Sequence, residues 1–471
     1  MVFSSPLFLF GFLPAFLLLY WASPSRWGNW VALAASLAFY AWGEPRFVFF
    51  AMGSALLDLA IVRAMSSERR GQRARKALLF LGIAANLGLL AFFKYANFGW
   101  DNAQAVAQSV LGLDLPAIAG IVLPIGISFI VFEKITYVVD VYRGVGHPAR
   151  SVRDYLLYVF LFPKLLAGPI VKYHDIERQL QDRARRFDDL AEGLRRFAIG
   201  LGKKVLIADP VGEIANQAFA HEPTIGFGIA WLGALAYAMQ IYFDFSGYSD
   251  MAIGIARTMG FRLMENFNRP YTAVGFGDFW RRWHISLSTW IREYLYIPLG
   301  GDRVSPLRTY INLWICFLLS GLWHGAAWTF VAWGAYHGLF LTLDRMFMKR
   351  ALRRLPRIVA VGVTFVLVTI GWVIFRAPDI DSAFRYLAVM ADWTAVRTGA
   401  FIVTRDQMLI LAVALAICFL PVSVRVSRAL DTLRALPKWE SARLVMAAVV
   451  LALALAKAVT VSFHPFLYFR F

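Results

Sequence analysis

Apolar residues along this chain fall into long blocks, not into the short alternations of a soluble fold. Blocks lie near 5–22, 28–42, 47–65, 77–94, 116–139, 224–244, 308–340, 357–376, 407–424 and 443–462, with short polar stretches between them. A bilayer core about 30 Å thick takes about 20 apolar residues to cross as a helix, and most blocks approach that length. A helix satisfies its backbone groups within one segment, which a lone strand in lipid does not. The pattern therefore predicts an all-α, polytopic transmembrane fold of about eleven spans, forming one integral-membrane domain over residues 1–471.

The polar stretches set the orientation. Between Ser66 and Lys76 stand Arg69, Arg70, Arg73, Arg75 and Lys76 against one acid, Glu68. Short loops rich in Lys and Arg stay in the cytoplasm, and the three blocks before this loop then put Met1 outside. Arg345, Lys349, Arg350, Arg353, Arg354 and Arg357 mark a second inner loop, and Arg425, Arg428, Arg434, Lys438 and Arg443 a third. Residues 377–406 balance Arg385, Arg397 and Arg405 against Asp379, Asp381, Asp392 and Asp406, which suits the outer side, and the C-terminus FHPFLYFRF then also lies outside. The first block has no basic n-region and no small-residue cleavage site, so it reads as a retained helix. The weakly amphipathic stretch 97–113 reads as a surface helix. The pattern leaves open whether 197–223 crosses.

Three interruptions stand out. Residues 152–171 are apolar but basic on both flanks and broken at Phe162-Pro163 and Ala167-Gly168-Pro169, the pattern of a re-entrant helix lining a cavity. Glu133 and Lys134, adjacent inside a block, read as a pair or as snorkelling side chains. Residues 172–204 interleave Lys172, Arg178, Arg183, Arg185, Arg186, Arg195, Arg196, Lys203 and Lys204 with acids. That stretch reads either as a solvated helical pair or as a cationic lip for a phosphate-bearing donor.

Composition narrows the function classes. With 59% hydrophobic and 17% charged residues this is not an ordinary soluble domain. A formal charge of +18 would suggest nucleic acid in a soluble chain. Here the cations sit in short loops, where membrane orientation accounts for them. Cys316 and Cys418 both lie in apolar blocks, which argues against a disulfide framework or a metal pair, and no metal-binding or P-loop pattern occurs. No internal repeat is visible, which weighs against a transporter built from related halves.

Candidate chemistry concentrates in the last two thirds. The block 308–340 carries His324, within Gly321-Leu322-Trp323-His324-Gly325, and His337. An imidazole at membrane depth is costly unless it faces a cavity or a partner, so it reads as functional or as a helix-packing hydrogen bonder. Tyr242-Phe243-Asp244-Phe245-Ser246-Gly247-Tyr248-Ser249-Asp250 gathers acids, hydroxyls and aromatics at a block's end, where helix capping explains part of the pattern. Glu265, Asn266, Asn268, Arg269 and Pro270 form a polar turn, and residues 276–300 are amphipathic and aromatic around His284. His147, His174, His221 and His464 read as loop or interface residues.

These residues carry a resemblance. The block from Tyr242 through Gly254, Glu265-Asn266-Phe267, Phe279-Trp280-Arg281-Arg282-Trp283-His284-Ile285-Ser286-Leu287-Ser288-Thr289-Trp290 and Gly321–Gly325 resemble the signature of the membrane-bound O-acyltransferase family. Met1–Ser5, Phe93-Lys94-Tyr95-Ala96-Asn97-Phe98 and Leu123–Phe129 bring the chain closest to its alginate O-acetyltransferase branch. The resemblance runs essentially end to end. It implies re-entrant and surface helices around a central funnel, open from both faces and meeting at a histidine that maps to His324, with the second family histidine at His284. The related D-alanyl transferases of teichoic acid share this core and are the main competitor.

The implied mechanism has His324 as the base that activates an acceptor hydroxyl. An unperturbed imidazole has a pKa of about 6.5 and desolvation lowers it, which keeps it neutral. His284 would orient the donor or support the base, with Ser286, Ser288 or Thr289 beside it, or else is an interfacial packing residue. Trp280, Trp283 and Trp323 would shape a path that excludes water. The substrate contacts expected are Asp244, Tyr248, Asp250, Asn266, Trp280, Arg281, Arg282, Ser286, Ser288 and Trp323, with capping of broken helices the preferred alternative for the two aspartates; His337 is expected to be structural. No bound cofactor is expected. The donor is a cytoplasmic acetyl thioester, acetyl-CoA as first choice. Partners are a periplasmic acetyl-accepting or acetyltransferase protein, exopolysaccharide-pathway proteins and the lipid bilayer, not nucleic acid. The location is the bacterial inner membrane. A transporter and a non-catalytic export scaffold are the rival classes.

Overall fold

The computed structural model describes every residue except 117–119, 222–223, 397–398, 400, 424–425, 427–431, 434–435, 437–438, 461–465 and 468–471. Among the described residues there is helix and no strand. Five helices are both long and apolar enough to cross a membrane: Phe47–Met65, Gln72–Leu111, Arg357–Arg376, Arg405–Val422 and Trp439–Thr460. The chain is a multi-pass membrane protein. Other expected spans are shorter helices: 16 residues in Gly28–Gly43, 17 in Ile127–Arg143 and 16 in Trp328–Leu343. The expected outer C-terminus and much of the basic loop 425–443 fall outside the described residues.

The chain forms two compact units, Met1–Gly193 with Ile255–Met264, and Leu194–Gly254 with Glu265–Phe471. In the first, Gln72–Leu111 is continuous over 40 residues, so 97–113 extends a span instead of forming a separate surface helix. Residues 152–171 break as their prolines dictate, into Val152–Phe160 and Phe162–Leu165. This broken segment is wholly buried around Phe160, Leu161, Phe162 and Leu165. Glu133 and Lys134 do not pair with each other, because neighbours on a helix point in different directions. Glu133 instead takes Lys164 of the broken segment, and Lys134 lies 3.2 Å from Asp58.

In the second unit the helical segments Lys203–Ala208 and Asp209–Ala220 follow Phe187–Gly202 without a break, so most of 197–223 is helix. Lys203–Ala208 is wound as a π-helix, an expansion that often marks a functional position. Phe227–Thr258 follows as one helix of 32 residues. The block 308–340 is two helices, Pro306–His324 and Trp328–Leu343, joined at Gly325–Ala327. A Cβ on Gly321 would stand 2.2 Å from the Phe330 carbonyl oxygen, and one on Gly334 2.4 Å from that of Phe317. Contacts that run 321 to 330 and 334 to 317 make the pair an antiparallel hairpin, packed backbone to backbone because glycine leaves nothing between.

Candidate active site

His324 is the last residue of its helix, at the tip of this hairpin. Three aromatic rings surround it. Trp323, Trp333 and Phe375 lie 5.0, 5.1 and 5.3 Å from its ring, all edge to face. His324 is 5% exposed, whereas His284 and His337 are fully buried.

Trp323 joins the two candidate histidines, its ring 5.0 Å from that of His324 and 6.0 Å from that of His284. His284 precedes the helix Ile285–Ile291 with φ of 44°, in the left-handed region that non-glycine residues seldom adopt. Surrounding bonds hold it there. The Asn266 carbonyl oxygen accepts from Ile285 N at 3.0 Å, and the Asn266 side-chain oxygen accepts from Ser286 N at 3.2 Å and Ser286 Oγ at 2.9 Å. The same Oδ1 lies 3.2 Å from His284 Nδ1. The Ser286 N–H identifies this atom as the amide oxygen, which carries no proton to donate, so Nδ1 holds the ring proton and Nε2 of neutral His284 is the basic nitrogen. Asn266 Nδ2 donates to Ser249 Oγ at 3.1 Å, which ties the turn to the helix Phe227–Thr258. His284, Asn266, Ser286 and Ser249 thus form one buried knot, with Phe245 against the imidazole at 4.7 Å.

The other expected residues divide into separate groups. Asp244 and Asp250 do not cap a helix, because Phe227–Thr258 continues past both. They are counter-ions within it. Asp250 lies 2.9 Å from Arg196 and 2.6 Å from Lys203, and Arg196 also binds Glu265. Asp244 lies 2.8 Å from Lys204 and accepts the Leu467 N–H at 2.8 Å. Lys204 also holds Asp209 at 2.6 Å. The cations of 172–204 divide, with Arg178 and Arg186 exposed on the solvated face and others engaged. Arg196, Lys203 and Lys204 are ion-paired, while Arg183 and Arg185 bond to backbone oxygens of Met259, Tyr20 and Ser23.

Tyr248 is buried with its ring stacked on Phe466 at 4.6 Å. Ser288 Oγ donates to the Trp283 carbonyl at 3.4 Å. Trp280 turns to the third histidine, its Nε1 donating to His337 Nδ1 at 3.2 Å. Arg281 and Arg282 face away from the histidines and share Asp278 at 3.2 and 3.1 Å. His147 and His174 pair with Glu177 and Asp140, and His464 lies outside the described residues. No cluster of three or more metal-ligating side chains occurs among the described residues. The sequence reading did not find Trp333 and Phe375, which complete the cage around His324. In a chain with 16% aromatic residues nothing local separates them from lipid-facing neighbours.

Residues 149–376 match the profile of MBOAT, the membrane-bound O-acyltransferase family, a stretch that holds both His284 and His324. The chain is 48% identical over 399 residues to the "probable alginate O-acetylase" of Azotobacter vinelandii, covering 84% of this chain and 79% of that one. The protein of that name in Pseudomonas aeruginosa is 47% identical over 83% of this chain and 75% of its own. The "peptidoglycan O-acetyltransferase" of Helicobacter pylori is 38% identical over 84% and 81% of the two chains. With a buried histidine pair on a matching profile and relatives this similar along most of their length, the chain belongs to the membrane-bound O-acyltransferase family and is a membrane acyltransferase.

Proposed function

We propose that the chain, acting as one catalytic domain over 1–471, is an O-acetyltransferase of the bacterial inner membrane that moves an acetyl group from a cytoplasmic thioester, acetyl-CoA by first choice, to the outer side for O-acetylation of an exported, alginate-like polysaccharide. The observation that carries this reading is His324, held among Trp323, Trp333 and Phe375 at the tip of the hairpin. In the proposed step His324 takes the proton of the acceptor hydroxyl, and the oxygen attacks the thioester carbonyl. The carbon–sulfur bond breaks and the imidazolium returns the proton to the leaving thiolate. General-base help of this kind is worth about 10²–10⁴-fold. The dry aromatic surroundings disfavour water as the competing acceptor. His284, its Nδ1 proton held by Asn266, presents Nε2 to orient the donor or the base. The basic loops put both termini on the outer side, where a periplasmic acetyl-accepting or acetyltransferase protein of the exopolysaccharide pathway would receive the group.

Two of the relatives above are named for alginate and one for peptidoglycan. Peptidoglycan is therefore the second acceptor to test, and a D-alanyl or other acyl group the second cargo. The experiment is ester analysis of the secreted polysaccharide and of cell-wall fragments from cells carrying His324→Ala, with the protein's membrane level measured alongside. The expected result is a loss of acetyl ester of at least about a hundredfold from the polysaccharide at normal protein level. Loss from the wall fragments alone moves the acceptor to peptidoglycan, loss of ester-linked alanine changes the cargo, and unchanged esters remove His324 from the chemistry.

A further inference from the structure

On the second unit a cavity of about 450 Å³ is walled by three elements: the turn after Phe276–Trp280, the short helix Lys349–Leu352 with the loop behind it, and the first turn of Arg357–Arg376. Five of its lining side chains are cationic, Arg281, Arg282, Lys349, Arg353 and Arg357, and one is acidic, Asp278. Asp278 is already engaged. Its Oδ2 accepts the Val274 N–H at 3.2 Å, and its Oδ1 holds the Arg281 Nη2 and Arg282 Nε groups. Two guanidiniums are thereby aimed; Arg282 Nη1 also reaches the Asn268 carbonyl at 3.5 Å. Among the described residues no carboxylate stands within ion-pair distance of Lys349, Arg353 or Arg357. Cations that converge on one cavity repel each other unless an anion sits between them. Guanidinium forks match phosphate oxygens in pairs, and the first-turn N–H groups of the 20-residue helix Arg357–Arg376 add to the same field.

The cavity also shares a turn with the candidate active site. Arg281 is 64% exposed on the cavity side, whereas Trp283 and His284, two and three residues on, are 2% and 0% exposed on the interior side. A ligand anchored at Arg281 and Arg282 is therefore held on the reverse face of the turn that presents His284.

We propose that this cavity binds phosphate-ester anions on the cytoplasmic face. Two sources present that chemistry: the phosphates of a soluble thioester donor, which rests on the acetyl-CoA reading above, and the headgroup of an anionic phospholipid, which does not. The test uses the full chain purified in uncharged detergent. Coenzyme A, dephospho-coenzyme A and inorganic pyrophosphate are titrated calorimetrically, and melting temperature is compared in phosphatidylcholine discs with and without phosphatidylglycerol. The same is done for the Arg353→Glu/Arg357→Glu pair, with Arg350→Glu as an exposed neighbour outside the cavity. The paired reversal should weaken the responding probe by at least about tenfold, as expected for lost charge-assisted bonds, while Arg350→Glu stays within twofold. Added salt should weaken the interaction further. If the double variant does not fold, Arg353→Gln replaces it. Binding of coenzyme A, weaker without its 3′-phosphate, identifies the donor. A response to phosphatidylglycerol alone keeps the anion site and removes the donor from it. No response to any probe, or equal responses from wild type and the paired variant, overturns the proposal.

Discussion

At the scale of single residues, Asn266 is the side chain on which the interior of the candidate site depends. Its oxygen receives His284 Nδ1, Ser286 N and Ser286 Oγ together, and its amide reaches Ser249. Asn266→Ala would leave several buried donors without an acceptor, each costing about 1–3 kcal/mol. The expected loss is on the order of 3 kcal/mol of stability, together with an acetylation defect as His284 becomes free to exchange tautomers. Melting of the purified protein and ester yield in cells check the two parts, and Asn266→Asp, which keeps the acceptor, should restore more activity than Ala. The motif made Asn266 legible as a candidate. Its task was not legible, because substrate contact and imidazole support ask for the same residue type. The left-handed backbone at His284 (φ 44°) carried no sequence signal at all. Partners distant in sequence were equally hidden: nothing around Glu133 points to Lys164 in preference to the adjacent Lys134.

At the scale of elements, block length was a good guide to the existence of helices and a poor one to their breaks. The segment 152–171 declared its break through proline. The hairpin at Gly325–Ala327 did not, since glycine and alanine are apolar enough to continue a block. What holds that hairpin is the absence of side chains at the crossing. Gly321→Ala would put a Cβ where the Phe330 carbonyl oxygen stands 2.2 Å away, and backbone cannot retreat as a flexible side chain can. The expected cost is about 1–3 kcal/mol, read as a lower melting temperature and as reduced acetylation that tracks the displaced tip. Gly362, whose Cβ would meet nothing within 4 Å, is the matched control and should accept alanine without loss. The 32-residue helix Phe227–Thr258 shows the converse limit. Its two aspartates looked like an end to the helix, and their counter-ions Lys203, Lys204 and Arg196 could be recognised only in three dimensions.

At the scale of the whole molecule, the proposed orientation assigns each cation-rich loop to the cytoplasm, and the hairpin is consistent with that assignment. A chain that turns at residues 325–327 returns to the side it came from. The cationic stretches around Arg281 and Arg282 and around Lys349 to Arg357 would therefore share one side, the cytoplasmic one in the proposed orientation. Single cysteines placed at Arg73 and Arg354, in a chain without Cys316 and Cys418, should react with a membrane-impermeant maleimide only after the cells are opened. One at Asp381 should react in intact spheroplasts. Labelling of Arg354 in intact spheroplasts would contradict the topology.

Because glycines clamp the two arms of that hairpin backbone to backbone, the imidazole at its tip has little freedom to swing toward either compartment. Under the proposed function, carriage across the bilayer then falls to the cargo: the acyl group would be threaded to a stationary proton acceptor and collected from its other side. An enzyme built this way works as a fixed transfer point, with no need to rock between inward- and outward-open forms.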